Sequence, residues 1–87
     1  IKCMNFYVYL ICSKNNNKSL VSYVGYTNNV KKRLISHNSS KGAKFTRGKK
    51  WKLLYKKKFN SKKDAMQYEY KLKKDKQKRK LLKLRFK

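Results

Sequence analysis

The chain has 87 residues and a formal net charge of +24, from 27 basic and 3 acidic side chains. This length predicts one small domain over residues 1–87, and no apolar run is long enough to span a bilayer or patterned as a cleavable signal. The charge indicates a polyanionic partner. Nucleic acid is favoured over a membrane surface, because the basic residues are spread along the chain and not confined to one amphipathic helix.

The N-terminal segment predicts a β-hairpin. Residues 5–12 are rich in β-branched and aromatic side chains, and residues 20–24 follow after an Asn- and Ser-rich turn, so both are expected to be strands. Gly25 is expected to end the second strand. Two cysteines and one histidine are too few for a zinc finger, and unpaired cysteine favours a reducing compartment, the cytoplasm or nucleus.

A helix is predicted after the hairpin. Thr27 or Asn28 can cap it, because short polar side chains accept hydrogen bonds from the first free backbone amides of a helix. The helix runs through residues 30–37. Its apolar stripe consists of Val30, Leu34 and Ile35.

The remainder of the chain predicts a loop, a strand and two helices. Residues 38–50 are polar and basic, and loops of this length are usually functional or disordered. Residues 51–59 alternate loosely and predict a third strand. A cap at residues 60–61 precedes a helix over 62–74, and the basic tail 75–87 is expected to form a short helix that packs on the body. The order β-β-α-β-α-α predicts an α+β fold with a three-stranded antiparallel sheet flanked by helices.

Few residues could carry chemistry. The sequence shows neither a cysteine–histidine pair nor two closely spaced carboxylates, which argues against proteolysis and glycoside hydrolysis. Arg33 and His37 are four residues apart and share one helix face, and a guanidinium offers the paired donors that match a phosphate. These residues suit phosphodiester cleavage. The alternative for Arg33 is a surface arginine beside a solvent-exposed histidine.

Two tyrosines and one glutamate add to this set. Tyr9 and Tyr23 fall in neighbouring predicted strands. A phenol held among cations and near a metal-bound water is expected to ionise more easily and to act as a base. The alternative is a pair of core aromatics. Glu69 can hold one hard cation together with waters and phosphate oxygens, although Lys73 is also placed to form an ion pair with it.

The order of these residues resembles that of the GIY-YIG nuclease superfamily. Tyr-Val-Tyr at 7–9 and Tyr-Val-Gly at 23–25 are similar to its two half-motifs, with tyrosine in place of glycine at the first position. Arg33 and His37 follow at the spacing of the family, and Glu69 lies on the later helix. Taken together and in order, these residues favour the nuclease over the separate alternatives.

The resemblance covers about residues 5–74 and leaves 75–87 as a basic helical tail. Residues 37–48 resemble the small single-domain bacterial members. Trp51 and residues 68–73 are also similar to the nuclease domain of the eukaryotic resolvase subunit that cuts branched DNA. That protein has an additional zinc-binding RING-type domain, for which this sequence lacks the cysteines.

The resemblance implies a divalent-metal-dependent DNA endonuclease and assigns a role to each site residue. Tyr23 activates or positions the attacking water, and Tyr9 assists and contacts the phosphate. Arg33 stabilises the transition state, and His37 orients groups or shuttles a proton. Glu69 binds one Mg²⁺ or Mn²⁺.

Candidate DNA contacts lie in the loop before the third strand. The resemblance implies that Lys44 and Thr46 touch the DNA backbone or frame the site, and nearby basic residues complete the set with Arg47, Lys49 and Lys50. Such residues position phosphates and do not read bases, so we expect a preference for branched, flapped or single-stranded DNA in repair or recombination, with a protein partner for targeting. The alternative is a non-enzymatic basic nucleic-acid-binding module on the same fold.

Overall fold

The computed structural model describes residues 5–14, 19–39, 41, 44–46 and 48–86. Within these ranges the predicted order β-β-α-β-α-α and the α+β class are confirmed. The elements are β1 (Phe6–Lys14), β2 (Leu20–Thr27), α1 (Val30–Asn38), a 3₁₀ turn (Lys44–Thr46), β3 (Lys52–Phe59), α2 (Lys62–Lys74) and α3 (Lys76–Lys83).

The sheet has the order β2-β1-β3, and both pairings are antiparallel. The central strand β1 is buried from Val8 to Ser13, because both faces of the sheet are covered there. The register places Tyr9 opposite Gly25 on one side and opposite Lys56 on the other. Tyr9 therefore lies at the centre of the sheet, where both neighbouring strands hold its backbone.

Side chains of β1 alternate between two apolar clusters, as the pleat of a strand requires. Even-numbered residues pack with α2 and α3, in the cluster Val8, Leu10, Val24, Ala65, Leu72 and Leu82. Odd-numbered residues pack with α1 and the segment before β3, in the cluster Tyr9, Ile11 and Trp51, against which Leu34 is packed. The two faces of the sheet are thus covered by different helices, and the chemically important odd positions face α1.

The prediction that Gly25 ends the second strand is wrong, since β2 continues to Thr27. Glycine is a local turn signal, but here its pairing with Tyr9 of β1 outweighs that signal. The longer β2 brings the chain to the start of α1 beside the sheet edge.

The cap of α1 also differs from the prediction. Asn29 caps the helix by accepting a hydrogen bond from the Lys32 amide at 3.0 Å, so neither Thr27 nor Asn28 is the cap. Thr27 instead accepts a hydrogen bond from the Asn29 amide at 3.1 Å and so fixes the approach to the helix. In the predicted apolar stripe, Ile35 is exposed.

The later caps and the tail agree with the sequence pattern. Ser61 caps α2 by accepting from the Asp64 amide at 3.1 Å. Asp75 caps α3 by accepting from the Lys78 amide at 3.0 Å, and Leu82 of α3 is buried in the core. Among the described residues, no helix has the length and apolar character needed to cross a bilayer.

Candidate functional site

Three buried side chains from distant parts of the chain form a continuous hydrogen-bond chain. The Tyr9 hydroxyl lies 2.8 Å from His37 Nε2, and His37 Nδ1 lies 2.8 Å from Thr46 Oγ1. Tyr9, His37 and Thr46 are all buried, so both nitrogens of the imidazole are bound to hydroxyls inside the protein. The arrangement joins β1, α1 and the 3₁₀ turn at one point.

The backbone around this chain is fixed by further hydrogen bonds. Trp51 Nε1 donates to the Thr46 carbonyl at 2.9 Å. The Asn38 side chain donates to the Trp51 carbonyl at 3.1 Å and accepts from the Trp51 amide. The end of α1 and the start of β3 therefore hold the turn that carries Thr46. Sequence reasoning missed this clamp, which depends on contacts between segments far apart in the chain.

Arg33 and the phenols set the electrostatics of the site. Burial lowers the pKa of His37, and the positive charge of Arg33 lowers it further, so the imidazole is neutral at pH 7. Burial raises the pKa of Tyr9, while a hydrogen bond and the charge of Arg33 oppose that change. The cation Arg33 lowers the pKa of Tyr9 in the expected direction, but desolvation of the buried phenol outweighs it, so the pKa is raised overall. In return, the hydrogen bond with Tyr9 raises the pKa of Arg33, which stays fully charged.

Tyr23 is the more exposed phenol. Its ring meets the edge of the His37 ring, with centroids 5.2 Å apart, and lies nearly parallel to the Phe45 ring, with centroids 6.3 Å apart. Tyr23 also contributes, less than Tyr9 does, to the raised pKa of Arg33. We call the group Tyr9, Tyr23, Arg33 and His37 the tyrosine site. The predicted sharing of one helix face by Arg33 and His37 is confirmed, since both reach Tyr9.

Glu69 belongs to α2, which packs on the opposite face of the sheet from α1. Its negative charge is nevertheless close enough to Tyr9 to contribute to the raised pKa of that phenol. The side chain is 18% exposed, and its Oε2 lies 3.7 Å from Lys73 Nζ, as the spacing predicted. Glu69 thus makes its ion pair with Lys73 on the α2 side of the sheet, and its charge is the smallest of the influences on the pKa of Tyr9.

The donor set limits the kind of metal site that fits. Within the described ranges, no three side chains of the histidine, cysteine or acidic types come together as metal ligands. A site with one carboxylate, completed by waters and by phosphate oxygens of a substrate, is the style that Mg²⁺ commonly uses. Glu69 fits that style, whereas Asp75 already caps α3.

The predicted DNA contacts divide into two groups. Lys44 and Lys50 are exposed and Lys49 is half-buried, all on the segment beside the tyrosine site. Thr46 is fully buried and bound to His37, so it frames the site. Arg47 lies outside the described residues.

Comparison with known proteins finds a matching family and several relatives of similar sequence. Residues 5–82 match the GIY-YIG catalytic domain family. A UPF0213 protein of Oceanobacillus iheyensis is 48% identical over 68 residues, covering 77% of this chain and 74% of the relative. A UPF0213 protein of Bacillus pumilus is 52% identical over 52 residues, covering 59% of this chain and 53% of the relative. The solution NMR structure of a UPF0213 protein from Bacillus halodurans is 39% identical, covers 97% of this chain and 86% of that chain, and superposes with a TM-score of 0.48.

Proposed function

The chain belongs to the GIY-YIG catalytic domain family, and on that premise we propose that it is a divalent-metal-dependent DNA endonuclease that hydrolyses phosphodiester bonds. The buried hydrogen bond between Tyr9 and His37, with the charge of Arg33 near enough to lower the pKa of both, is the observation that carries the proposal. It brings a neutral base, a phenol and a permanent cation together, and we propose that Glu69 of α2 adds a single carboxylate. This combination matches the needs of phosphodiester hydrolysis, in which a water is deprotonated and a growing negative charge is stabilised.

The neutral imidazole gives the tyrosine site a route for a proton. With the Tyr9 hydroxyl donating to His37 Nε2, the Nδ1–H of the imidazole donates to Thr46. A water that attacks phosphorus can then pass a proton to the Tyr9 oxygen while Tyr9 passes its own proton to His37. Tyr23, the more exposed phenol, positions that water. A neutral Tyr9 is what this relay requires, which agrees with its raised pKa.

Arg33 and Glu69 provide the charges. The guanidinium of Arg33 donates to the phosphate oxygens as negative charge builds on them, with two fixed donors that a lysine lacks. Glu69 is the residue that holds the Mg²⁺ or Mn²⁺. When bound, such an ion neutralises phosphate charge and favours departure of the leaving oxygen.

We further propose a preference for DNA structure over sequence. Lys44, Lys49 and Lys50 can contact backbone phosphates near the site, and contacts of this kind carry no sequence information. Flaps, nicks, branches and single-stranded regions in repair or recombination are the proposed substrates. Residues 5–74 form the proposed nuclease core with residues 75–87 as its basic tail, and a protein partner supplies targeting.

A cleavage assay on a panel of labelled DNAs tests the proposal. Duplex, nicked, flapped, forked and single-stranded substrates are incubated with the chain in Mg²⁺, in Mn²⁺ and in EDTA. Cutting that requires a divalent ion and is lost in Arg33→Ala and Glu69→Gln is the expected result, with DNA binding largely retained. Asp64→Asn, at an exposed acid in the first turn of the same helix, is the matched control and keeps activity. DNA binding without cleavage on every substrate would leave the non-enzymatic binding module as the function.

A further inference from the structure

Phe45 is a solvent-facing aromatic residue at the rim of the tyrosine site. Its side chain is 52% exposed although phenylalanine is normally buried. The ring nonetheless has a defined orientation, since it lies 20° from parallel to Tyr23 and its centroid is 6.1 Å from that of Trp51. The Phe45 ring thus packs against the aromatic residues of the site and still keeps half of its surface exposed to solvent.

The position of Phe45 follows from the way its neighbour Thr46 is held. The Thr46 hydroxyl is bound to His37 at 2.8 Å, and the Thr46 carbonyl accepts from Trp51 Nε1 at 2.9 Å. Both bonds are buried, so the backbone next to Phe45 is tied to the proposed catalytic residues. The exposed ring is therefore placed by the site itself and not by a loose loop.

A lysine completes the arrangement. Lys49 Nζ lies 5.3 Å from the centroid of the Phe45 ring, within the range of a cation–π contact. A flat apolar ring with an ammonium group over it can serve the two parts of a nucleotide: the base replaces the ammonium on the ring face, and the ammonium moves to the negatively charged phosphate. Proteins that bind single-stranded nucleic acid use this combination of aromatic rings and basic side chains.

We propose that Phe45 is a stacking platform for one unpaired nucleobase next to the scissile phosphate, with Lys49 contacting a phosphate of the same strand. This inference rests on the proposed nuclease function and specifies its substrate class. A base inside a duplex is stacked on its neighbours and must be unstacked to reach the platform, whereas a base in a flap or single-stranded arm is free to do so. The net charge of +24 favours a nucleic acid over a protein as the occupant of this apolar rim.

The chain contains a matched control for this arrangement. Tyr70 is 59% exposed on α2, and Lys74 Nζ lies 4.3 Å from its ring centroid, so the same pairing of aromatic ring and lysine occurs there. Tyr70 makes none of the ring contacts that join Phe45 to Tyr23 and Trp51. If Phe45→Ala weakens DNA binding only because exposed aromatic surface next to a lysine is lost, Tyr70→Ala should weaken binding by the same amount.

Fluorescence anisotropy in EDTA measures DNA binding without cleavage. We expect Phe45→Ala to weaken binding to flapped and single-stranded oligonucleotides on the order of 10-fold and to change duplex binding little, given the usual contribution of base–aromatic stacking. Phe45→Trp should retain binding, Phe45→Leu should resemble Phe45→Ala, and Tyr70→Ala should resemble the unchanged chain. Unfolding midpoints of the variants exclude general loss of structure.

Abasic substitutions identify the base that stacks. A single abasic nucleotide is moved along the unpaired arm, and at one position it should weaken binding of the unchanged chain as much as Phe45→Ala does. At that position Phe45→Ala should bind the abasic and intact arms equally, because the same contact is already absent. Additive losses at every position would overturn the platform.

Two other results would also overturn it. One is an equal loss in Phe45→Ala on fully paired duplex. The other is a change of sedimentation coefficient in Phe45→Ala with unchanged DNA binding, which would make the ring a contact between two copies of the chain. Suppose that Phe45→Ala and one abasic position have non-additive effects on binding, but no substrate is cleaved. That result would support the stacking platform and refute the proposed nuclease, so failure of one proposal can be told from failure of the other.

Discussion

Gly25 lies against the Tyr9 phenol, so close that a Cβ on Gly25 would be 2.6 Å from Tyr9 Oη and 2.8 Å from Tyr9 Cζ. The Tyr9 ring thus crosses from the central strand over its neighbour. Glycine is needed at position 25 for space, whereas the left-handed backbone among the described glycines is at Gly48, with a φ of 75°. The last residue of the Tyr-Val-Gly motif therefore accommodates the proposed catalytic phenol.

Gly25→Ala should displace that phenol and break its hydrogen bond to His37. Because the Tyr9 ring is buried and cannot simply move into solvent, we expect a loss of about 1–3 kcal/mol in the free energy of unfolding and near-complete loss of cleavage. Urea denaturation and single-turnover cleavage measure the two effects. Gly48→Ala is the control, since its Cβ would meet nothing within 4 Å. It should cost about 1–2 kcal/mol through backbone strain and leave cleavage intact.

Tyr9→Phe should separate the chemical role of the hydroxyl from its structural role. The change leaves His37 without a hydrogen-bond partner at Nε2, and we expect a loss of about 1–3 kcal/mol in stability together with a large drop in kcat. Tyr55→Phe is the matched control, because the Tyr55 hydroxyl is 2.7 Å from the Tyr68 hydroxyl in a part-buried pair away from the site. If Tyr9→Phe and Tyr55→Phe lose similar amounts of stability and also lose cleavage equally, the result would argue against a chemical role for the Tyr9 hydroxyl.

Stability should depend on pH through His37, the one histidine of the chain. Its pKa is lowered from the usual 6.5 by burial and by Arg33, with Tyr9 and Tyr23 as the other titratable side chains in contact with it. Below pH 6.5 the unfolded chain binds more protons than the folded one, so the free energy of unfolding should be constant above that pH and decrease as the pH falls towards the folded pKa. Urea denaturation at a series of pH values measures this, and His37→Gln should remove the slope in that window whatever its overall stability.

Lys73 should compete with a metal ion for Glu69. The Lys73 side chain of this 3.7 Å ion pair is half exposed to solvent, so the pair contributes little free energy. Lys73→Met should lower the Mg²⁺ concentration needed for half-maximal cleavage about twofold, measured by Mg²⁺ titration at saturating DNA. Lys74→Met, which removes the same charge from a lysine beside Tyr70, should leave that concentration unchanged. An equal fall in the Mg²⁺ requirement in both variants would point to a general effect of charge and not to the ion pair with Glu69.

The elements of the fold were predictable because their signals are local. Ser61 before an apolar helical pattern and the four-residue spacing of Arg33 and His37 each act within one or two turns of chain. Features that depend on how strands pair were not predictable. In the sequence alone, Gly25 indicates the end of a strand, and only its pairing with β1 shows that the strand continues. The hydrogen bond between His37 and Thr46 joins a helix to a turn for which the sequence has no recognisable pattern.

The direction of the pKa change at Tyr9 was missed for a related reason. The sequence reveals the abundant lysines, but it does not reveal how completely the Tyr9 ring is buried between β2 and α1. Phe45 was overlooked as well, although a phenylalanine in a loop that is otherwise polar and basic was a usable signal.

The bonds between Tyr9, His37 and Thr46 draw on three segments that meet only when the whole sheet and its first helix have assembled. A nascent or partly unfolded chain keeps its net charge of +24, but it lacks this chain of hydrogen bonds and with it the proposed proton relay. Under the proposed function, we therefore expect DNA cleavage to be gained and lost in one cooperative step with folding.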